Sequence, residues 1–169
     1  MIFKKYLNKK FYLNLSVILF IFFLDRITKE IVINIDKENF SQQIFLSKYL
    51  DIALIWNRGV AFGFFSFDEN YTYNILTTLI VLVVFIIFYM ILKNDGLKRF
   101  SLLLIMGGAL GNLYDRIFFS AVPDFIDFHI GNFHWFIFNV ADIFITIGVI
   151  FMILIEFIDN NKNKLNEKN

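Results

Sequence analysis

The chain has 169 residues, 58% of them hydrophobic and 20% aromatic, with a net charge of +1 and a mean hydropathy of +0.64. A soluble domain of this length breaks its apolar runs with charge every few residues. Here several runs of about 20 residues carry little or no charge, the length that crosses a hydrocarbon layer roughly 30 Å thick, so an ordinary soluble domain is excluded. The lack of cysteine rules out disulfides, thiolate metal ligands, a thiol nucleophile and lipidation on Cys. No basic stripe of the kind that nucleic acid requires is present.

Lys4, Lys5, Lys9 and Lys10 precede the first apolar run, a layout shared with secretory signals. No small-x-small cleavage site follows it and three more apolar runs come later, so residues 11–33 are expected to stay as a first membrane helix. Its last turns carry Asp25, Arg26, Lys29 and Glu30. Asp25 and Lys29 are four apart and able to pair on one helical face, as are Arg26 and Glu30. For Arg26 and Glu30 the expectation is a snorkelling helix end. Asp25 lies deeper, where a carboxylate marks an internal polar site.

Residues 34–70 form the one long non-spanning segment. Within it, 49–56 (YLDIALIW) is rich in β-branched and aromatic residues and is followed by Asn57-Arg58-Gly59, which predicts a short strand ending in a turn. Phe62-Gly63-Phe64-Phe65 reads as an apolar, glycine-hinged segment suited to a lipid interface. A second, uncharged span is expected at 71–92 and a third at 100–119, separated by a polar turn containing Asp95-Gly96. The third carries Gly107, Gly108 and Gly111, including a GxxxG pair that permits close helix packing, and Gly108, Asn112 and Arg116 share a face. The fourth span is expected at 136–158, with Asn139, Asp142 and Thr146 as a polar stripe. The fold class is therefore an all-α integral membrane protein, one domain over 1–169, with four transmembrane helices and a small β-containing extracytoplasmic subdomain. Lys and Arg concentrate at the N-terminus, at 93–99 and in the C-terminal tail. The positive-inside rule then puts both termini in the cytoplasm, and Asp25, Asn57, Asp115, Arg116, Asp124, Asn139 and Asp142 at the outer face.

The residue types at that face limit the chemistry. No His or Lys stands near a plausible serine nucleophile. His129 and His134 are flanked by Asp124 and Asp127, but five-apart spacing does not put two imidazoles on one helical face and no HExxH element exists, so no metal is expected. Two carboxylates sharing a proton can hydrolyse an amide without a metal. Asp124 and Asp142 could meet across antiparallel helices; Asp127 could replace Asp124, and Asp115 could be a partner or a salt bridge to Arg116. Spacing does not choose among them.

Five segments resemble, in order, the bacterial lipoprotein signal peptidase (type II signal peptidase) family of aspartic peptidases: 25–29 (DRITK), 57–63 (NRGVAFG), 107–116 (GGALGNLYDR), 122–127 (VPDFID) and 138–142 (FNVAD). Together they cover essentially the whole chain. The resemblance implies an endopeptidase that removes the signal peptide from diacylglyceryl-modified prolipoproteins, cutting before the lipidated cysteine at the outer side of the cytoplasmic membrane. It implies Asp124 and Asp142 as the catalytic pair. Asn57, Gly59, Asn112, Arg116 and Asn139 would bind substrate, with Asp25, Lys29 and Asp115 in support. Residues 34–70 would supply a β-cradle and a loop over the site. The partners implied are prolipoproteins and membrane lipid, with no nucleic acid and no cofactor, and the chain is expected to be a monomer. Pro123 and Ile143 stand where the family often has an aliphatic residue and Ser or Thr. The rival reading is a proton-coupled membrane transporter, since intramembrane carboxylates also mark proton relays.

Overall fold

A computed structural model describes residues 9–38, 44–45, 47–59, 70–131 and 133–166. In chain order these form α1 (Lys9–Glu38), β1 (Ile44–Phe45), β2 (Leu50–Asn57), α2 (Asn70–Lys93), α3 (Gly96–Phe119), β3 (Val122–Ile130), β4 (Phe133–Phe138) and α4 (Val140–Asn166). Among the described residues three helical stretches, Tyr73–Lys93, Gly96–Phe119 and Val140–Asn161, are long and apolar enough to cross a membrane. The apolar, glycine-hinged segment expected at Phe62-Gly63-Phe64-Phe65 lies outside the described residues.

The central helix is α3, which packs against α1, α2 and α4. Its glycines make this possible. A Cβ on Gly111 would stand 2.6 Å from Asp25 Oδ2 on α1, and one on Gly108 would stand 2.5 Å from the Ala141 carbonyl oxygen on α4. Both distances are too short for any side chain, so the helices approach at backbone range. That approach presses the polar groups of α1 and α4 onto those of α3. Towards the other end of the bundle the contents change to hydrocarbon, with Ile87, Ile91, Leu102, Leu103 and Met106 forming a buried apolar cluster. Beyond it, Lys98 pairs with Glu156 and Asp159 at 3.0 Å each, and Asp95 pairs with Lys10 and Arg99. The basic clusters therefore sit at the opposite end from the sheet.

The sheet is antiparallel in the order β1-β2-β3-β4. The expected strand near 49–56 is β2. However, the sheet is not confined to 34–70: the expected connection after the third span is a β-hairpin inserted between α3 and α4. Ser120 in the left-handed region (φ 55°) ends α3, and Gly131 (φ +60°) makes the hairpin turn. Residues 136–138, expected to begin the fourth span, instead finish β4. The helix starts only at Val140 because a reciprocal cap fixes it there. Asn139 Oδ1 accepts from the Asp142 N–H at 3.1 Å, and Asp142 Oδ2 accepts from the Asn139 N–H at 3.2 Å, the arrangement of a capping box. Asp142 thus lies in the first turn of α4, not two turns inside it.

Strand parity sorts the hairpin's side chains. One face of β3 carries Asp124, Ile126 and Phe128, and pairs with Phe136 and Phe138 of β4. The other face carries Asp127 and His129, opposite Asp51 of β2 and His134 of β4.

Candidate active site

The first face of β3 turns Asp124 towards the helices. Its side chain is buried, Oδ2 accepts from Asn57 Nδ2 at 2.9 Å and Oδ1 from Asn139 Nδ2 at 2.6 Å. Asp142 accepts from Asn112 Nδ2 at 2.8 Å through Oδ1, besides the Asn139 backbone N–H already described. Asn139 therefore bridges the two acids, amide to one and backbone to the other. Asn112 on α3 and Asn57 at the end of β2 complete a ring of neutral donors.

The orientation of the three amides is determined by their other ends. Each has its oxygen held by a donor: Asn57 Oδ1 by the Gly59 N–H at 2.8 Å, Asn139 Oδ1 by the Asp142 N–H, and Asn112 Oδ1 by Lys29 Nζ at 2.9 Å. With the oxygens occupied, all three NH2 groups are forced onto the carboxylates. The acids are held by dipoles, and among the described residues no direct salt bridge quenches them. The carboxyl of Asp124 is pushed up to about 6, first by burial and next by the negative charge of Asp142; the amide bonds from Asn57 and Asn139 oppose the shift. A buried acid raised further by a second carboxylate nearby can hold a proton close to neutrality, which general acid–base hydrolysis can use.

Beneath this ring lies a charged one. Lys29, fully buried, spends its three N–H donors on Asp25 (2.8 Å), Asp115 (2.7 Å) and Asn112. Asp25 Oδ1 accepts from the Ala141 N–H at 3.0 Å, placing an anion on the first turn of α4, where the helix dipole favours it. The Asp25–Lys29 pair matches its expected spacing. Asp115 pairs with Lys29 and with Arg26 (2.6 Å), not with its neighbour Arg116, one of the partners its spacing leaves open. Arg26, expected to snorkel, turns inwards and stacks on Tyr114 with its guanidinium 5.0 Å from the ring centre. Two acids and two bases balance, which is the condition for burying such a group. Single-chain spacing exposes only the i,i+4 half of it; the α1–α3 half depends on the approach at Gly111.

Arg116 takes a different position. Its Nη2 donates to the Gly59 carbonyl at 2.6 Å, so it reaches β2's end and brings Gly59 to the site. Its Nε and Nη1 are buried without a partner among the described residues. Tyr73 of α2 donates to the Arg116 carbonyl at 3.1 Å, fixing the helix turn that carries it. A cavity of about 520 Å³ starts at Asp142 and follows the outer face of α4, lined by Phe136, Phe138, Ile143, Thr146 and Ile150 among others. Ile143 is thus an apolar wall beside Asp142. Every residue expected at the site is drawn into this assembly: Asp124, Asp142, Asn57, Gly59, Asn112, Arg116, Asn139, Asp25, Lys29 and Asp115. Asp127 points to the far face of β3 and takes no part, and Arg26 joins unannounced.

A family model described as signal peptidase (SPase) II matches residues 17–158. The lipoprotein signal peptidase of Pelagibacter ubique is 53% identical over 161 residues, covering 95% of this chain and 96% of that one. That of Aquifex aeolicus is 39% identical, covering 89% of each. A solved bacterial membrane enzyme superposes with a TM-score of 0.68 at 27% identity, over 89% of this chain and 90% of its own. With a match running from the first helix to the last, the chain belongs to the signal peptidase II family and is a membrane protease that cleaves lipoprotein signal peptides.

Proposed function

We propose that Asp124 and Asp142 are the catalytic dyad of this protease, acting on a water held between them. The observation that carries the reading is Asn139, whose one residue donates to both carboxylates. In this scheme Asp124, whose carboxyl is pushed up to about 6 by burial and by the negative charge of Asp142, carries the shared proton, and ionised Asp142 takes a proton from the water as it attacks the scissile carbonyl. Asp124 donates to the carbonyl oxygen, giving a tetrahedral intermediate. On collapse one hydroxyl of the diol returns its proton to Asp124 as the C=O re-forms, the C–N bond breaks and the proton held by Asp142 goes to the leaving amine. The unpartnered Nε and Nη1 of Arg116 are the donors for substrate carbonyls on either side of the cut. Asp25, Lys29 and Asp115 hold Asn112, and through it Asp142, in place.

The substrate is a prolipoprotein whose cysteine carries diacylglycerol. The lipid-open, apolar cavity along α4 suits hydrocarbon beside the reacting bond, and the apolar faces of Phe136 and Phe138 continue it onto the sheet. In this reading α1 is a fourth span, the termini are cytoplasmic, the dyad faces the outer side of the cytoplasmic membrane, and the monomer is active. A proton-coupled transporter fits less well, because the polar groups end where the Ile87–Met106 cluster begins. The test is cleavage of purified prolipoprotein in detergent, with and without the diacylglyceryl group. Cleavage confined to the lipidated form supports the substrate; equal cleavage of both rejects it. Wild-type turnover by Asp142→Asn would remove the dyad.

A further inference from the structure

On the face of β3 turned away from the dyad, Asp127, His129 and His134 present one carboxylate oxygen and two imidazole nitrogens that all lie within 4.8 Å of one another. We propose that these three residues form a second, non-catalytic site for a divalent transition-metal ion, of which Zn²⁺ is the natural occupant, clamping the β3–β4 hairpin. The site is made by the strands. His129 and His134 are cross-strand partners, and their rings stack with centroids 5.2 Å apart. The pairing depends on a register shift between Phe128 and His129; in unbroken register His129 would face residue 135 instead.

Asp127 has a side chain only 3% exposed, and its Oδ2 lies 2.7 Å from His134 Nδ1. Its second oxygen, Oδ1, and His129 Nδ1 are both buried without a hydrogen-bond partner among the described residues. A simple His–carboxylate pair would satisfy one oxygen and leave these two atoms stranded, which is costly in a buried place. No Lys or Arg of the described residues forms an ion pair with Asp127. A divalent cation placed among the three supplies the missing positive charge.

Two imidazoles and one carboxylate are a donor set that borderline ions such as Zn²⁺ take readily. Ligand atoms around tetrahedral zinc stand about 3.3 Å apart, so modest side-chain rotation closes the present spacing. His134, with a side chain 51% exposed, leaves the entry side and a fourth position open to water. Asp51 lies across β2 from Asp127, with Oδ2 3.7 Å from His129 Nδ1. It adds a buried carboxylate beside the same ring nitrogen, and so more negative charge for a cation to balance.

The experiment is a metal count on the untagged full-length chain in detergent, stripped with chelator, loaded with Zn²⁺ and desalted. About one zinc per chain is expected, retained equally by Asp124→Asn and Asp142→Asn, with affinity reduced at least ~10-fold in His134→Ala and in His129→Ala. Prolipoprotein cleavage by His134→Ala shows that the variant is folded. Replacing zinc by Co²⁺ should give the intense visible absorption of a four-coordinate site, absent in His134→Ala. The proposal is overturned if the wild-type chain retains no zinc, or if zinc is lost with Asp142→Asn and kept in the histidine variants, which would put the ion at the dyad.

Discussion

Asp124 and Asp127 stand three residues apart on one strand, and both are buried, yet they belong to different chemistries. Asp124 faces the helices and is held by the amides of Asn57 and Asn139. Asp127 faces away and meets the imidazole of His134. An odd separation on a regular strand sends the two to opposite faces. In the proposed reading, the contrast marks the catalytic carboxylate by neutral donors fixed in advance, a second acid nearby and no cation in direct contact among the described residues. Such an acid can keep and release a proton, whereas one beside titratable rings is suited to binding a cation.

The sharpest way to break this comparison is to remove the acids one at a time. Asp124→Asn and Asp142→Asn should each lower kcat at least ~10³-fold, measured as cleavage of lipidated prolipoprotein, while the protein still inserts and folds. A loss of similar size in Asp127→Asn would erase the distinction between the faces. Next in size is Asn139→Ser. Serine preserves the cap of α4 but withdraws the amide from Asp124, so cleavage should fall about 10–100-fold with Tm close to wild type. Were Asn139 only a helix cap, kcat would be unchanged.

Much of this was legible in the sequence. The apolar runs announced α2, α3 and α4, the β-branched stretch announced β2, and the i,i+4 rule paired Asp25 with Lys29. The hairpin was hidden because 133–138 (FHWFIF) is apolar on both faces and runs directly into the apolar α4, so no change of period marks the boundary. The cap by Asn139 and Asp142 was visible only as a polar stripe, which helical periodicity explained equally well. The salt-bridge partners of Asp115 and the reach of Arg116 to Gly59 depend on how α1, α3 and β2 lie side by side. His129 and His134 were set aside on helical spacing, a rule that does not apply to strands. Their meeting rests on a one-residue register shift that leaves no trace in composition. The choice of Asp124 over Asp127 comes from the family resemblance; parity along β3 shows that the two face opposite sides of the sheet.

A smaller effect follows from the buried acid itself. The folded-state value of Asp124 is about 6, against about 3.9 for an unfolded aspartate. Below pH 4 it is protonated in both states and its favourable contribution is fully present; that contribution is lost as pH rises through 6, because folding then requires a buried charge. Between pH 4 and 7.5 the loss is on the order of 2–3 kcal/mol. Denaturant melts of wild type and Asp124→Asn across this range should converge in slope only after the mutant's flatter segment is passed. Parallel curves throughout would mean that Asp124 titrates normally, and the contrast with Asp127 would lose its electrostatic part.

The smallest expected effect tests the quiet face. Asp127→Asn keeps the shape of the side chain and one oxygen near His134, so β3 retains its register and Asp124 its amides. Among the described residues the hydrogen-bond partners of Asp124, Asn57 and Asn139, differ from that of Asp127, His134, and the strand backbone between them is braced on both sides by β2 and β4. Cleavage of lipidated prolipoprotein should therefore stay within about 3-fold of wild type, a barrier change below ~1 kcal/mol. The same variant should hold zinc poorly. That split, peptidase retained and metal lost, is what two independent faces require. If kcat fell together with zinc retention, the hairpin would be transmitting strain to Asp124, and the His129–His134 clamp would be part of the catalytic support.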